Sequence, residues 1–192
     1  MDRREAIKRT SRIMGIAISS SVITAIMEGC TIKNDINWIP SFLTKDQAIL
    51  VGQVAERILP STDTPGALDV GVDAFIDVML RDCYKKAQQE IFLSGVRELE
   101  EISQASFEKS FADCDHKHQD TLLKKLENDS ETWKKDGKSS ERPFFLIVKE
   151  LTLLGYFTSE EIMKNHLEYN PIPGRFDGCI PMDKNQKLRV GN

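Results

Sequence analysis

From residue 42 onward, apolar positions recur every three or four residues, which is the period of helices with one buried face. Thr44 with Gln47 forms a capping box, in which side chains satisfy the orphan amide donors of a helix start. Ala48, Val51, Ala55, Ile58 and Leu59 then fall on one face of a first helix, which Pro60 ends. A second helix is predicted over residues 72–84, burying Phe75, Ile76, Met79 and Leu80. A third runs over 86–104 with Phe92, Val96, Leu99 and Ile102 on one side. Asp115 is placed to cap a fourth helix carrying Leu122, Leu123 and Leu126. The segment 128–142 is polar, and Asp136-Gly137 suggests a turn within it. Pro143 suits the first turn of a strongly apolar fifth helix, 144–156. Thr158 with Glu161 reads as a second capping box, opening a sixth helix to about Leu167. Residues 170–192 are rich in Pro and Gly and read as irregular, and no useful period-two alternation is present. The expectation is an all-α domain of six helices with an irregular C-terminal tail.

The first 29 residues follow a different pattern. Arg3, Arg4, Lys8, Arg9 and Arg12 precede a weakly apolar run, residues 13–27, which Gly15, three serines and Thr24 dilute. A basic region followed by a short apolar one is the order of a targeting peptide. The run is shorter and more polar than the ~20 apolar residues a spanning helix requires. Asp2-Arg3-Arg4-Glu5-Ala6-Ile7-Lys8 matches the twin-arginine export pattern at both arginines and the lysine, and departs from it at Ala6, where Phe is usual. Gly29-Cys30 closes the run as a lipoprotein signal would, although Met27 and Glu28 fit that pattern poorly. The reading is an export signal over 1–29, with Cys30 the lipidation candidate. A linker at 30–41 and a helical domain at 42–192 follow. Two or more acyl chains on Cys30 would anchor the chain stably, where a single chain is marginal. The expected location is the periplasm, held at the membrane, after passage through the twin-arginine translocase.

Composition narrows the range of functions. Residues 30–192 carry 21 basic and 27 acidic side chains, a net charge of −6, so there is no electrostatic footprint for nucleic acid. Cys83, Cys114 and Cys179 lie far apart with no C-x-x-C pair, which argues against a zinc or iron–sulfur site. An oxidising compartment would allow one internal disulfide with a thiol left over, or a bridge to a partner; the other reading is three small buried hydrophobes. No phosphate-cradling glycine loop, G-x-S-x-G elbow or C-x-x-C-H haem attachment is present. His116 and His118 stand two apart, where a helical metal pair needs four, and read as solvated cap residues. His166, at the end of the sixth helix, reads as structural. Glu98, Glu100 and Glu101 read as a solvated face. No catalytic, cofactor-binding or metal residue is assigned.

The irregular stretches carry more information. Thr62-Asp63-Thr64-Pro65-Gly66-Ala67 is more specific than a plain turn requires. Pro173-Gly174-Arg175-Phe176-Asp177 combines rigid, flexible, charged and aromatic residues. A segment that cannot bury much of itself is either disordered or laid along another surface, and an Arg–Phe pair suits an interface. Both stretches are candidates for docking a partner.

In order along the chain, several runs resemble the gluconate 2-dehydrogenase subunit 3 family. They are Phe42-Leu43-Thr44, Gln47-Ala48, Ala55 to Pro60, Thr62 to Ala67, Gly71-Val72 and Phe75-Ile76-Asp77. Further on come Glu150 to Thr158, Pro173-Gly174 and Gly178-Cys179. The resemblance implies a small helical subunit of a membrane-associated, FAD-dependent sugar or sugar-acid dehydrogenase. It implies that the flavin and catalytic base belong to a separate large subunit, and that a multihaem c-type cytochrome takes the electrons. It also implies that the small subunit carries the export signal for the large one, which suits a route that moves folded, cofactor-loaded cargo. Two alternatives remain: Arg175 or Asp177 completes the partner's active site, or the chain is a free-standing lipoprotein with a binding or assembly role.

Overall fold

The computed structural model describes residues 36–136, 142–172, 174, 179, 181, 184 and 187–190. Five α-helices make up most of this: α1 (Lys45–Ile58), α2 (Val72–Cys83), α3 (Lys86–Phe107), α4 (His116–Asp136) and α5 (Phe144–Thr158). A 3-10 turn, Phe111–Asp113, precedes α4, and a π-helical turn, Ile162–His166, follows α5. Two-residue strands β1 (Glu168–Tyr169) and β2 (Arg189–Val190) pair in parallel, Glu168 opposite Arg189. The fold is all-α, as the periodicity predicts.

α1 and α5 form the centre, and each packs against the other and against α2, α3 and α4. Both are apolar over most of their circumference, as helices enclosed by neighbours must be. Val51, Val54 and Ala55 of α1 and Val148 and Leu151 of α5 are buried, with Ile76 and Leu80 of α2 and Phe92 and Leu99 of α3 completing the core. Each such side chain removed from water contributes about 1.5–3 kcal/mol. Two glycines bring α5 close to its neighbours. A Cβ on Gly155 would stand 2.6 Å from Cδ1 of Phe75, and one on Gly95 would overlap Cβ of Phe144. The ring of Phe144 then meets Phe92 edge-on at 5.0 Å. The predicted caps of α1 and α4 are both formed: the Thr44–Gln47 box closes reciprocally, and Asp115 Oδ1 accepts from the amide of His118 at 2.9 Å.

Several expectations need correction. The polar stretch after Asn128 continues α4 to Asp136, because its inner stripe persists through polar residues: Ser130 is 2% exposed, and its hydroxyl donates to Leu126 O. The Thr158–Glu161 capping box does not form. α5 runs on through Thr158, whose hydroxyl donates back to Leu154 O, and Ser159 Oγ accepts from Ile162 N instead. The expected short sixth helix is present, but as a π-helical turn, Ile162–His166, with Leu167 at its end. The tail is not wholly irregular, since Glu168 N donates to Leu188 O and Asn170 N to Val190 O. The ordered domain also begins earlier than residue 42: Ile36 and Trp38 already pack on the core.

Among the described residues, no helix is long and apolar enough to cross a membrane.

Candidate functional site

Arg3, Arg4, Lys8 and Cys30 lie outside the described residues, as do Pro173, Arg175, Phe176 and Asp177. Of the two docking stretches, the first is therefore the one whose geometry can be described, together with Gly174, which has φ +72°.

The loop after α1 is built around one carboxylate. Glu56, in the last turn of α1, accepts from Ser61 N at 3.0 Å through Oε1 and from Leu68 N at 2.9 Å through Oε2. It spans the loop at its two ends and supplies acceptors to amides that leave the helix without partners. Gly66 lies against that carboxylate: a Cβ there would come within 2.7 Å of both Glu56 Oε2 and the backbone nitrogen of Ser61. Gly66 N donates to Asp69 Oδ2 at 2.8 Å, and Ala67 N to Leu59 O at 2.9 Å. At the tip, Thr62 N donates to Thr64 O, and its hydroxyl donates to Asp63. Thr62 and Asp63 are exposed, Thr64 and Pro65 half-buried, Gly66 buried.

α5 holds the loop from the other side. The hydroxyl of Tyr156, a 7% exposed residue, donates to Pro65 O at 2.8 Å and stands 3.5 Å from Thr64 Oγ1. Phe157 packs edge-on against the Tyr156 ring at 5.3 Å. With Leu153 and Leu154 it lies on the outward side of the last turns of α5, since the 100° step sets those three opposite Leu151, Thr152 and Gly155. They are 37–44% exposed, and no charged residue stands between Glu150 and Glu160. A rigid polar loop tip thus adjoins an uncharged, apolar helix end. The arrangement offers hydrogen-bonding groups at a fixed tip and apolar area beside them, which suits recognition of a surface.

The cysteines divide. Cys114 is buried, with Sγ 3.3 Å from Ser103 Oγ, so it alone is the small buried hydrophobe. Cys83 and Cys179 are exposed, and Cys83 and Cys114 are free thiols. His118 is not itself a cap: its amide donates to Asp115, the capping residue, and its ring pairs with Asp115 and stacks on Phe107 at 4.1 Å. Asp115 is held below the usual carboxylate range, chiefly by the His118 amide. Glu100 is not merely part of a solvated face: it accepts from Phe111 N at 3.0 Å and secures the 3-10 turn. Among the described residues, no group of three or more His, Cys, Asp or Glu side chains is arranged to hold a metal ion.

Sequence reasoning missed Glu56, Tyr156 and a pair of buried acids, Asp73 and Asp77. The last pair left a signal. At 73 and 77 they share the α2 face of Ile76 and Leu80, and acids on an apolar stripe require partners.

Fold and site together define a small helical domain whose Thr62–Gly66 loop is braced by Glu56 and Tyr156. The model of gluconate 2-dehydrogenase subunit 3 matches residues 45–174, most of the described domain, and the chain belongs to that family of dehydrogenase subunits. No curated protein and no solved structure matches it.

Proposed function

We propose that this chain is a non-catalytic accessory subunit that exports, stabilises and docks a flavoprotein dehydrogenase. The partner is an FAD-dependent enzyme of the glucose–methanol–choline type acting on a sugar, glycoside or sugar acid. The flavin belongs to that partner, and haem to a c-type cytochrome that receives its electrons. The N-terminal twin arginine carries the assembled pair through the translocase to the periplasm, where Cys30 tethers it to the membrane.

The carrying observation is the loop at Thr62–Gly66, fixed from both sides by Glu56 and Tyr156 and adjoining the uncharged face of Leu153, Leu154 and Phe157. A preorganised surface binds without first ordering its own groups, and exposed aromatic and aliphatic side chains at its centre supply most of the affinity. Family membership supplies the kind of complex.

The test is co-expression of the full chain with its neighbouring genes, followed by purification through this subunit. A yellow, flavin-containing complex is expected, and Phe157→Asp should release the flavoprotein while leaving the helical fold intact. A stable, monodisperse chain that retains no flavoprotein would refute the proposal and favour a free-standing lipoprotein.

A further inference from the structure

Five hydrogen bonds fasten residues 38–43 to α2, and the proposed docking surface uses none of them. Asp77 Oδ2 accepts from Ser41 N at 2.8 Å and from Ser41 Oγ at 2.6 Å. Its Oδ1 accepts from Phe42 N at 3.1 Å and Leu43 N at 2.8 Å. One turn earlier, Asp73 Oδ2 accepts from the indole nitrogen of Trp38 at 2.7 Å. Both acids are buried, at 1% and 7% exposure. Three successive amides, immediately ahead of the Thr44 cap, thus converge on a single carboxylate. Consecutive N–H groups of this kind form an anion-binding concavity, and the positive end of α1 beside it favours a negative charge there. The chain fills its own nest with Asp77.

This arrangement decides where tension goes. A pull on the backbone ahead of Ile36 reaches Trp38 and Ser41–Leu43 before it reaches any helix. Without the two acids, the strap would be held only by the packing of Ile36, Trp38, Phe42 and Leu43 on the core, and behind it by the solvent-exposed Thr44–Gln47 box. With them, the pull passes into α2, and from α2 into α5 through the close approach of Phe75 to Gly155. Charge-assisted hydrogen bonds are roughly twice as strong as neutral ones, and four on one carboxylate must break together.

We propose that residues 36–43 are a traction strap. Locked to α2 by Asp73 and Asp77, the strap takes up pull applied through the preceding segment and keeps α1 folded while the chain is moved. Its biological use rests on the export reading above, in which the N-terminal segment draws a folded pair across a membrane.

The experiment is single-molecule extension of the full chain, pulled from its two ends, with hydrogen exchange measured on the same proteins. The wild type should hold the strap until the helices rupture, with the amides of Ser41, Phe42 and Leu43 protected. Asp77→Asn should release the strap as a separate early step, at no more than half the force. Its three amides should exchange at least tenfold faster, while those of Val51 and Val54 keep their rates. Ser41→Ala removes only one side-chain bond; it is the milder variant should Asp77→Asn fold poorly, and should shift both readouts the same way by a smaller factor. Unchanged force and protection in both variants would overturn the strap. Faster exchange at an unchanged rupture force would overturn its traction role. Failure of the wild-type N-terminal segment to deliver the chain across a membrane would instead overturn the export reading and leave the mechanical result standing.

Discussion

Replacing Gly66 with alanine tests the geometry on which the proposed docking loop depends. The new methyl would meet both carboxylate oxygens of Glu56 and the backbone nitrogen of Ser61, the last two at 2.7 Å. Ser61 N is backbone and cannot rotate away, so Glu56 must leave or the loop must shift. If Glu56 leaves, the bonds to Ser61 N and Leu68 N are lost together. Hydrogen bonds to a charged group contribute about 1.5–3 kcal/mol each, and the solvent-exposed one falls at or below the lower limit. A total of about 3 kcal/mol is therefore expected. For a chain of this length that lowers the melting temperature by about 6–12 °C. Urea titration followed by circular dichroism on the full chain measures it, and a double-mutant cycle assigns the cause. In a Glu56→Ala background only the approach to Ser61 N remains, so Gly66→Ala should cost measurably less there. A neutral Gly66→Ala, or an equal cost in both backgrounds, would show that the loop is not organised around this carboxylate.

Tyr156→Phe removes only the donor to Pro65 O and should cost about 1 kcal/mol, while speeding limited proteolysis within residues 61–66; unchanged cleavage would mean the loop holds itself. Gly95→Ala is expected to destabilise by about 1–3 kcal/mol through overlap with Phe144, although helix propensity alone would have it stabilise by about 1 kcal/mol; thermal melts give the sign. Acidification should loosen the strap. Burial raises the affinity of Asp77 for a proton, but the Leu43, Ser41 and Phe42 donors outweigh it and hold its carboxyl below the usual range. A depressed carboxylate contributes stability that is fully present above its unfolded value and lost as pH falls through its folded one. Trp38 emission, read in a Trp133→Phe background, should therefore change only below the ordinary aspartate range, and that change should be much reduced in an Asp77→Asn variant, which has no carboxylate there to titrate. Exposed pairs such as Lys164–Glu160 should contribute little by comparison, and salt titration of the melting temperature checks this.

The helices were legible because each buries a face, and burial writes a 3.6-residue period into the order of residues. Phe92, Val96 and Leu99 show α3 without any knowledge of what covers them. Local capping was legible too where it is confined to four residues, as at Thr44–Gln47 and Asp115. It failed at Thr158, because the end of α5 is set by packing and not by the nearest capping residue. The polar half of α4 misled for a related reason: Ser130 is buried only because neighbouring helices lie over it.

The proposed docking loop could be picked out as a motif, since a run of turn formers marks it locally. Its rigidity could not. Tyr156 stands 91 residues from Pro65, and Arg57 pairs with Asp120 across 63. Such contacts leave no periodic trace, because nothing in the intervening chain depends on them. The sequence by itself determined an all-α domain, its family and the turn-rich loop between the first two helices. The tertiary structure decided which acids become anchors: Glu56, Asp73 and Asp77 look like any other carboxylates until folding removes water and brings unpaired amides against them.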